Sequence, residues 1–373
     1  MQFATRFRIE PAMLTRGFGD ILYKVIPKPQ VHPRAANNKQ AIERLLVLTK
    51  GRNPTFSYYL EERLNRSPYP TEVRDLADRL DDIEPEGLFV IVCRYIRPRQ
   101  LQWLYRNRKR IAGAALFLDD DIAATFVAQR SEWDYKAYLA AVGIFPLLVL
   151  NRILTDIWVS TPALGRAIAG NGAGIKVVGP LPTRQTYDVC KTPDSDDDRV
   201  VMAFHTGGCH EAEHKFLVPI VREALQRCRN LRFEVIASGK TAKMWQNAGL
   251  PAGQFVIHKN KTWTDYLEHT QEANVDILLV PLARSRINDV RAGTKRIDAV
   301  RMGAAPILSH NQVYQHCASN GEIFVNHDPD AWIEEICRLT QDIALRQRAR
   351  DATADVVRWI SENETDSFPL HAS

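Results

Sequence analysis

Apolar runs of four to seven residues recur along the chain, separated by stretches whose apolar positions fall at helical spacing. In the first half the runs occupy 45–49, 88–93, 114–118, 156–160 and 175–178. In the second they occupy 200–204, 231–237, 254–258, 276–280, 306–309 and 322–325. Runs this short predict strands rather than helices, with helices between them at 55–64, from about 99, and after Thr161-Pro162. Such alternation predicts parallel sheets covered on both faces, an α/β fold. The pattern breaks at Gly179-Pro180-Leu181-Pro182 and stays broken to Asp198. That stretch reads as an interdomain connection. The expected division is a domain over 1–180, a linker over 181–198, a second domain over 199–345, and a C-terminal helix and tail over 346–373 that braces the first domain.

Within the second half, residues 275–309 form one complete strand–helix–strand pattern. A helix is expected over 294–302, begun after Gly293 and ended at Gly303. The loop after the first of these strands lies at the carboxyl edge of a parallel sheet, where open α/β proteins bind ligands. Amides at Gly293, Thr294 and Lys295 would be unpaired donors at the helix start. Arg284, Arg286, Arg291, Lys295 and Arg296 crowd the same segment, so a phosphate or diphosphate fits there. A solvated basic helix face is the plainer use of the same arginines.

A second candidate follows the run 200–204. His205-Thr206-Gly207-Gly208 leads into a helix that carries His210, Glu213 and Lys215, and the two glycines would let backbone approach a phosphate. The same segment contains His210-Glu211-Ala212-Glu213-His214, which fits the H-E-x-x-H zinc pattern. A zinc hydrolase using His210, Glu211 and His214 is therefore an alternative. Against it, the histidines fall in the first turns of the helix, and no downstream Gly-x-x-His follows at the required spacing.

Residues 288–309 resemble the nucleotide-sugar-binding unit of GT-B glycosyltransferases, on Lys295-Arg296-Ile297-Asp298 followed by Gly303-Ala304-Ala305-Pro306-Ile307-Leu308-Ser309. The loop from His205 to Lys215 is similar to the glycine loop of the same family. The resemblance implies two Rossmann-like domains facing across a cleft, with a sugar nucleotide bound by the second. It implies that Thr294 and Lys295 hold the donor diphosphate and that Asp298 meets the ribose hydroxyls. Donor contacts are further expected from His205, Gly207, Gly208, Lys215, Arg284 and Gly293, with His210 balancing charge at the diphosphate. By the same resemblance Trp263 stands near the base, where stacking on the ligand competes with ordinary packing. Many family members carry two glutamates eight positions apart. Here the upstream position is Val290, with Asp289 one place before it, and Asp298 stands at the second. A noncatalytic nucleotide-sugar-binding protein is thus a further alternative.

Composition and charge add partners to this picture. With 373 residues, 45% of them hydrophobic, the chain can bury two cores. Residues 1–180 hold 26 Lys/Arg against 18 Asp/Glu, and residues 181–373 hold 23 against 26. The cations concentrate at 94–110, interleaved with Tyr95, Trp103 and Tyr105. That patch is expected to be a solvated face or to touch an anionic membrane or lipid-linked acceptor; nucleic acid is not expected. Asp119-Asp120-Asp121 end the run 114–118, and one of them is expected to serve as a base or acceptor contact, with helix capping and a divalent metal as the other uses. No apolar window long enough to cross a membrane is expected, and 137–150 is interrupted by Gly143 and Pro146. Six scattered cysteines without a C-x-x-C pair read as reduced thiols. The resulting expectation is a cytoplasmic glycosyltransferase, peripheral at the inner membrane face, of cell-surface polysaccharide or glycolipid synthesis. It would need neither cofactor nor metal, and would take a nucleotide-diphosphate sugar and a carbohydrate or lipid-linked acceptor.

Overall fold

The structure is a computed structural model that describes residues 19–33, 40–128, 133–169, 174–183, 199–207, 210–315 and 317–370. The chain divides into two units. Of the described residues, those within 19–51 and 69–177 form the first, and those within 52–68 and 178–370 the second.

In the first unit, six wholly parallel strands run in the order β2-β1-β3-β4-β5-β6. They are β1 (Arg44–Thr49), β2 (Thr71–Asp75), β3 (Leu88–Cys93), β4 (Gly113–Leu118), β5 (Asp156–Val159) and β6 (Ile175–Val177). Every residue of β3, β4 and β5 is buried, as expected of central strands covered on both faces. The basic patch falls on α1 (Pro98–Asn107), which buries Gln100 and Leu104 and leaves Arg97, Arg99 and Arg106 exposed. One expectation needs correcting here. The stretch Trp133–Leu150 is helical, and by length and hydropathy, 1.3 on average, it could cross a membrane. It is 44% buried, with Leu139, Ile144, Leu147 and Leu150 in the core and Trp133, Phe145 and Leu148 exposed. Gly143 and Pro146 change its helical pitch without ending it, because the segment passes through a π-helical turn at Ala140–Ile144.

The second unit also holds six parallel strands, β7 (Val200–Phe204), β8 (Leu231–Ile236), β9 (Phe255–His258), β10 (Ile277–Val280), β11 (Ala305–Ser309) and β12 (Ile323–Val325). Their order, β12-β11-β10-β7-β8-β9, is the doubly wound arrangement in which the winding reverses between β7 and β10. On one face, α2 (Glu211–Arg227) and Pro329–Gln341 bury Leu217, Val221 and Trp332 against the sheet. On the other, Ala299 and Met302 of α4 (Lys295–Met302) pack with Leu278 and Leu308. Between these two helices in sequence lies α3 (Trp263–Glu272).

The units divide at residues 177 and 178, and one earlier segment also joins the second unit. Residues 52–68 belong to the second unit, although they follow β1 directly in the chain. Their anchor is Arg63, whose guanidinium is buried and donates to the carbonyls of Tyr59, Gly179 and Thr365 and to Glu364 Oε1 at 2.9 Å. A buried charge is tolerated only when its donors are paired, and here all three guanidinium nitrogens are. The C-terminal helix α5 (Ile343–Asn363) likewise lies within the second unit, against β11 and α4. Residues 184–198 of the expected linker lie outside the described residues.

Candidate functional site

In a doubly wound sheet the ligand crevice opens beyond the carboxyl ends of the two strands flanking the reversal, here β7 and β10. The segment after β7 begins with His205 and Gly207. A Cβ placed on Gly207 meets nothing within 4 Å, and its φ lies outside the left-handed region. Neither backbone strain nor a neighbour demands glycine there, so the open space is available to an incoming group. Gly208 and Cys209 lie outside the described residues.

His210 precedes α2, and Glu213, 3% exposed, lies in its first turn. One Glu213 oxygen accepts from the Ala283 amide at 3.3 Å and from Asn288 Nδ2 at 3.0 Å, while the other faces His210 Nδ1 at 3.6 Å. Burial pushes this carboxyl up, but the His210 contact and the backbone amides win and hold it at about 2. Glu213 thereby ties the loop after β10 to the start of α2.

On its far side, His210 Nε2 meets Arg291 NH1 at 3.2 Å. An arginine can only donate, so Nε2 is the unprotonated nitrogen and Nδ1–H points toward Glu213. Burial first, then Arg291 and Lys295, lower the pKa of this imidazole. The expected role of His210 is corrected accordingly. A neutral ring cannot balance diphosphate charge itself; it orients Arg291, which can.

The helix predicted around Lys295 is present as α4, and Gly303 ends it in the left-handed conformation at φ 68°. Thr294 stands before it with its hydroxyl capping nothing. The first bonds of the turn are made by the amides of Arg296 and Ile297, at 3.2 and 3.0 Å. The Thr294 and Lys295 amides therefore precede the bonded ladder. A Cβ on Gly293 would approach Arg296 NH1 at 3.2 Å and the Tyr314 ring at 3.3 Å, so a side chain would crowd this entry. Arg284, in the loop after β10, is exposed and makes no ion pair among the described residues. Lys215 is exposed on α2 and pairs with Glu211 one turn earlier.

Asp298 is 3% exposed, and four donors converge on it. Tyr58 and Arg301 donate to Oδ1, and Tyr266 OH at 3.1 Å and Lys295 Nζ at 2.8 Å donate to Oδ2. Burial raises its pKa, but Lys295, Arg301 and the Tyr58 hydroxyl outweigh that and hold it well below the usual carboxylate range. Burial and the Asp298 charge also push the phenols of Tyr58 and Tyr266 well above their ordinary value, so both remain donors. A ribose hydroxyl could reach Asp298 only by displacing one of these partners; as the site stands, Asp298 positions Lys295. Trp263 donates to Ser57 Oγ at 3.0 Å and sets its ring against Tyr58, the packing role rather than the stacking one.

Two arginines are turned away from any ligand. Arg296, expected among the phosphate-facing cations, is 2% exposed and forms a two-pronged pair with Glu322 at 2.6 and 2.9 Å. Arg301 is spent on Asp298 and Thr270 Oγ1.

The zinc-hydrolase pattern does not assemble. The His214 ring is 2% exposed, lies against Phe204, and accepts the Trp245 indole N–H at 2.8 Å on Nδ1. Burial, then His210, lowers its pKa to about 4. In an unfolded chain the ring titrates near pH 6.5. Between about pH 4 and 6.5 the unfolded chain binds the additional proton, so stability is fully present above this window and falls with acidification through it. Thermal unfolding at several pH values should show that fall, and His214→Asn, which cannot take the proton, should lose less. Equal acid sensitivity of the two proteins would contradict the assignment.

In the first unit the acidic triplet separates into two uses. Asp121 is fully buried, caps Ile122–Val127 by accepting from the Ala124 amide at 2.8 Å, and accepts from Tyr23 OH at 2.5 Å. Its expected role as a base is corrected to that of a cap. Asp119 and Asp120 each stand 3.3 Å from the Arg94 guanidinium, so an arginine relieves their crowding where a metal was the other expected use. Arg94 itself adopts φ 67°, unusual for a non-glycine residue, at the end of β3. The winding of this sheet reverses between β1 and β3, where an open α/β sheet binds ligands.

The chain matches no protein-family model and no curated protein sequence. Solved structures do resemble it. A Staphylococcus aureus TarM variant in complex with fondaparinux, alpha-GlcNAc-glycerol and UDP aligns at TM-score 0.54 and 11% identity, over 77% of this chain and 55% of that one. Anabaena HepE in complex with UDP and glucose aligns at 0.51 and 12%, over 86% and 97%. A glycosyltransferase from Rickettsia africae aligns at 0.53 and 11%, over 86% and 94%. The chain thus spans about half the length of TarM. At these identities the likeness shows the fold, which is GT-B, with two Rossmann-like α/β units as expected.

Proposed function

Taking the GT-B fold as premise, we propose that the chain transfers a sugar from a nucleotide-diphosphate donor held by its second unit. One observation carries this reading. The loop after β7 and the segment 288–295 are joined at the winding reversal by the His210–Arg291 contact, and they bring together cations and helix-start amides that have no hydrogen-bond partner among the described residues, beside an open glycine. A diphosphate is the dianionic group such a set suits.

In this reading Gly207 admits the diphosphate to the backbone, while the Thr294 and Lys295 amides and the Lys295 ammonium receive it. Arg291, aimed by His210, adds a second positive charge. When the glycosidic bond to the donor breaks, negative charge grows on the departing nucleotide diphosphate. Groups already fixed around that position stabilise the charge without reorganising. Asp298 contributes indirectly: its anchorage to Tyr58, Tyr266 and Arg301 fixes the carboxylate from which Lys295 hangs. UDP bound to solved structures of this fold supports a uridine donor as the first to try. Asp119 and Asp120, held beside Arg94, are the proposed acceptor contacts of the first unit.

The test is a thermal-shift screen with UDP, GDP, ADP and their sugars, because a ligand that binds only the folded state must raise its melting temperature. At least one nucleoside diphosphate is expected to do so, by about 2.7 kcal/mol of stabilisation at a hundredfold excess over Kd. Its sugar should then be released or transferred. No shift with any of them would overturn the proposal, and a shift with no turnover would favour the noncatalytic alternative.

A further inference from the structure

Three imidazoles and a carboxylate converge on the same sheet edge, beside the diphosphate groups just described. His205 follows β7, Glu234 lies on β8, His258 ends β9, and His269 lies on α3. Glu234 is at their centre. Its Oε1 stands 2.8 Å from His205 Nε2 and 4.0 Å from His269 Nε2, and its Oε2 stands 3.4 Å from His258 Nε2. The nearest ligand atoms of His205, Glu234 and His269 all lie within 4.8 Å of one another. The His258 and His269 rings are 5.0 Å apart, and those of His205 and His269 5.3 Å.

Hydrogen bonding accounts for only part of this cluster. Glu234 bonds His205, but the Nε2 atoms of His258 and His269 are buried and have no hydrogen-bond partner. Buried polar atoms are normally paired. Two unpartnered imidazole nitrogens beside a carboxylate whose Oε1 already bonds His205 call for an occupant that accepts lone pairs from all of them. A divalent cation of the borderline-soft class does so.

We propose that His205, Glu234, His258 and His269 form a zinc site. Zinc binds imidazole nitrogen and carboxylate oxygen near 2.0–2.2 Å in a tetrahedron, which sets ligand atoms about 3.3 Å apart. The spacings from Glu234, 2.8 to 4.0 Å, bracket that value, and the ligand atoms of His205, Glu234 and His269 lie within 4.8 Å of one another, so side-chain adjustment closes these three onto one ion while His258 joins from the Oε2 side of Glu234. With His258 as the fourth ligand all four positions would be filled by protein, as in a structural site rather than a catalytic one. The metal would clamp α3 to the ends of β7, β8 and β9. Because α3 also carries Tyr266, which donates to Asp298, and Trp263, which packs on Tyr58, the clamp would steady the partners of Asp298.

The full chain, stripped with chelator and titrated with zinc alone, should bind one ion per molecule in calorimetry and melt at a higher temperature when loaded. Cobalt in its place should give the intense visible absorption of a tetrahedral ion. Losing an outer-shell partner weakens metal sites by about 10- to 100-fold. Losing a ligand outright, in His258→Ala or His269→Ala, should cost at least as much, whereas His210→Ala should bind zinc as the parent does. Glu234→Gln, which keeps the shape and an acceptor for His205, covers the case in which a histidine variant misfolds; it too should bind more weakly. No saturable zinc binding, binding unaltered in all three ligand variants, or loss in His210→Ala alone would each overturn the assignment.

Discussion

Lys295→Met is expected to lower the rate of sugar transfer by about 100- to 1,000-fold, the effect of removing one preorganised group that stabilises developing charge. Methionine keeps the length of the side chain and removes only its charge. Affinity for the nucleoside diphosphate should fall by about 1–3 kcal/mol, the scale of a charge-assisted hydrogen bond in the ground state. The larger loss in turnover than in binding is the signature of an interaction that strengthens as the leaving group departs. Folding should change little, because the Lys295 side chain is 31% exposed and Asp298 keeps Arg301, Tyr58 and Tyr266 when the lysine is gone. Calorimetry with the nucleotide, steady-state transfer and a melting curve on the same preparation separate these effects. A variant that melts like the parent and turns over like it would remove Lys295 from the site.

What the sequence disclosed is local, and what it concealed is long-range. The central strands of both sheets are continuous apolar runs bounded by glycine, proline or acids, so period and composition marked them without any tertiary information, whereas the edge strand β2, with Glu72, Arg74 and Asp75 among its five residues, carries no such run and was not marked. The helix at Lys295 was visible for the same reason, with Gly293 and Gly303 fixing its two ends. A charged side chain's direction has no such signature. Arg291, Lys295 and Arg296 are neighbours in sequence, yet Arg296 turns inward because Glu322 waits there, twenty-six positions on. Tyr58 is 240 positions from Asp298, in a segment whose pattern is that of an ordinary helix after β1, and no spacing rule links the two. The zinc-like H-E-x-x-H motif misled in the opposite sense. It places His214 correctly one turn from His210, but the Trp245 and Phe204 side chains absorb the ring into the core. The cluster of His205, Glu234, His258 and His269 has no motif at all, since its members come from three neighbouring strands or the residue just after one, and a helix, which only the sheet order brings together.

Glu322→Ala should destabilise the second unit by about 3–5 kcal/mol, the cost of leaving one member of a buried ion pair uncompensated. The Glu322 side chain is fully buried, and both of its oxygens receive Arg296, one of them also receiving the Ser319 amide at 3.2 Å. Truncation leaves a guanidinium, 2% exposed, whose remaining acceptor is the Tyr314 carbonyl. Denaturant unfolding gives the cost directly. The double replacement Arg296→Met, Glu322→Leu should recover most of it, because a buried pair exchanged for apolar groups of similar volume is close to neutral. This comparison also tests how the site is built. If the pair only fills the core, the double variant should bind nucleotide like the parent. If it sets the entry of α4, where the Gly293 Cα lies under the Arg296 guanidinium, the double variant should regain stability but bind nucleoside diphosphate more weakly. A single variant as stable as the parent would show that Arg296 can reach water or another acceptor, and that the buried pair does not anchor the helix that carries Lys295.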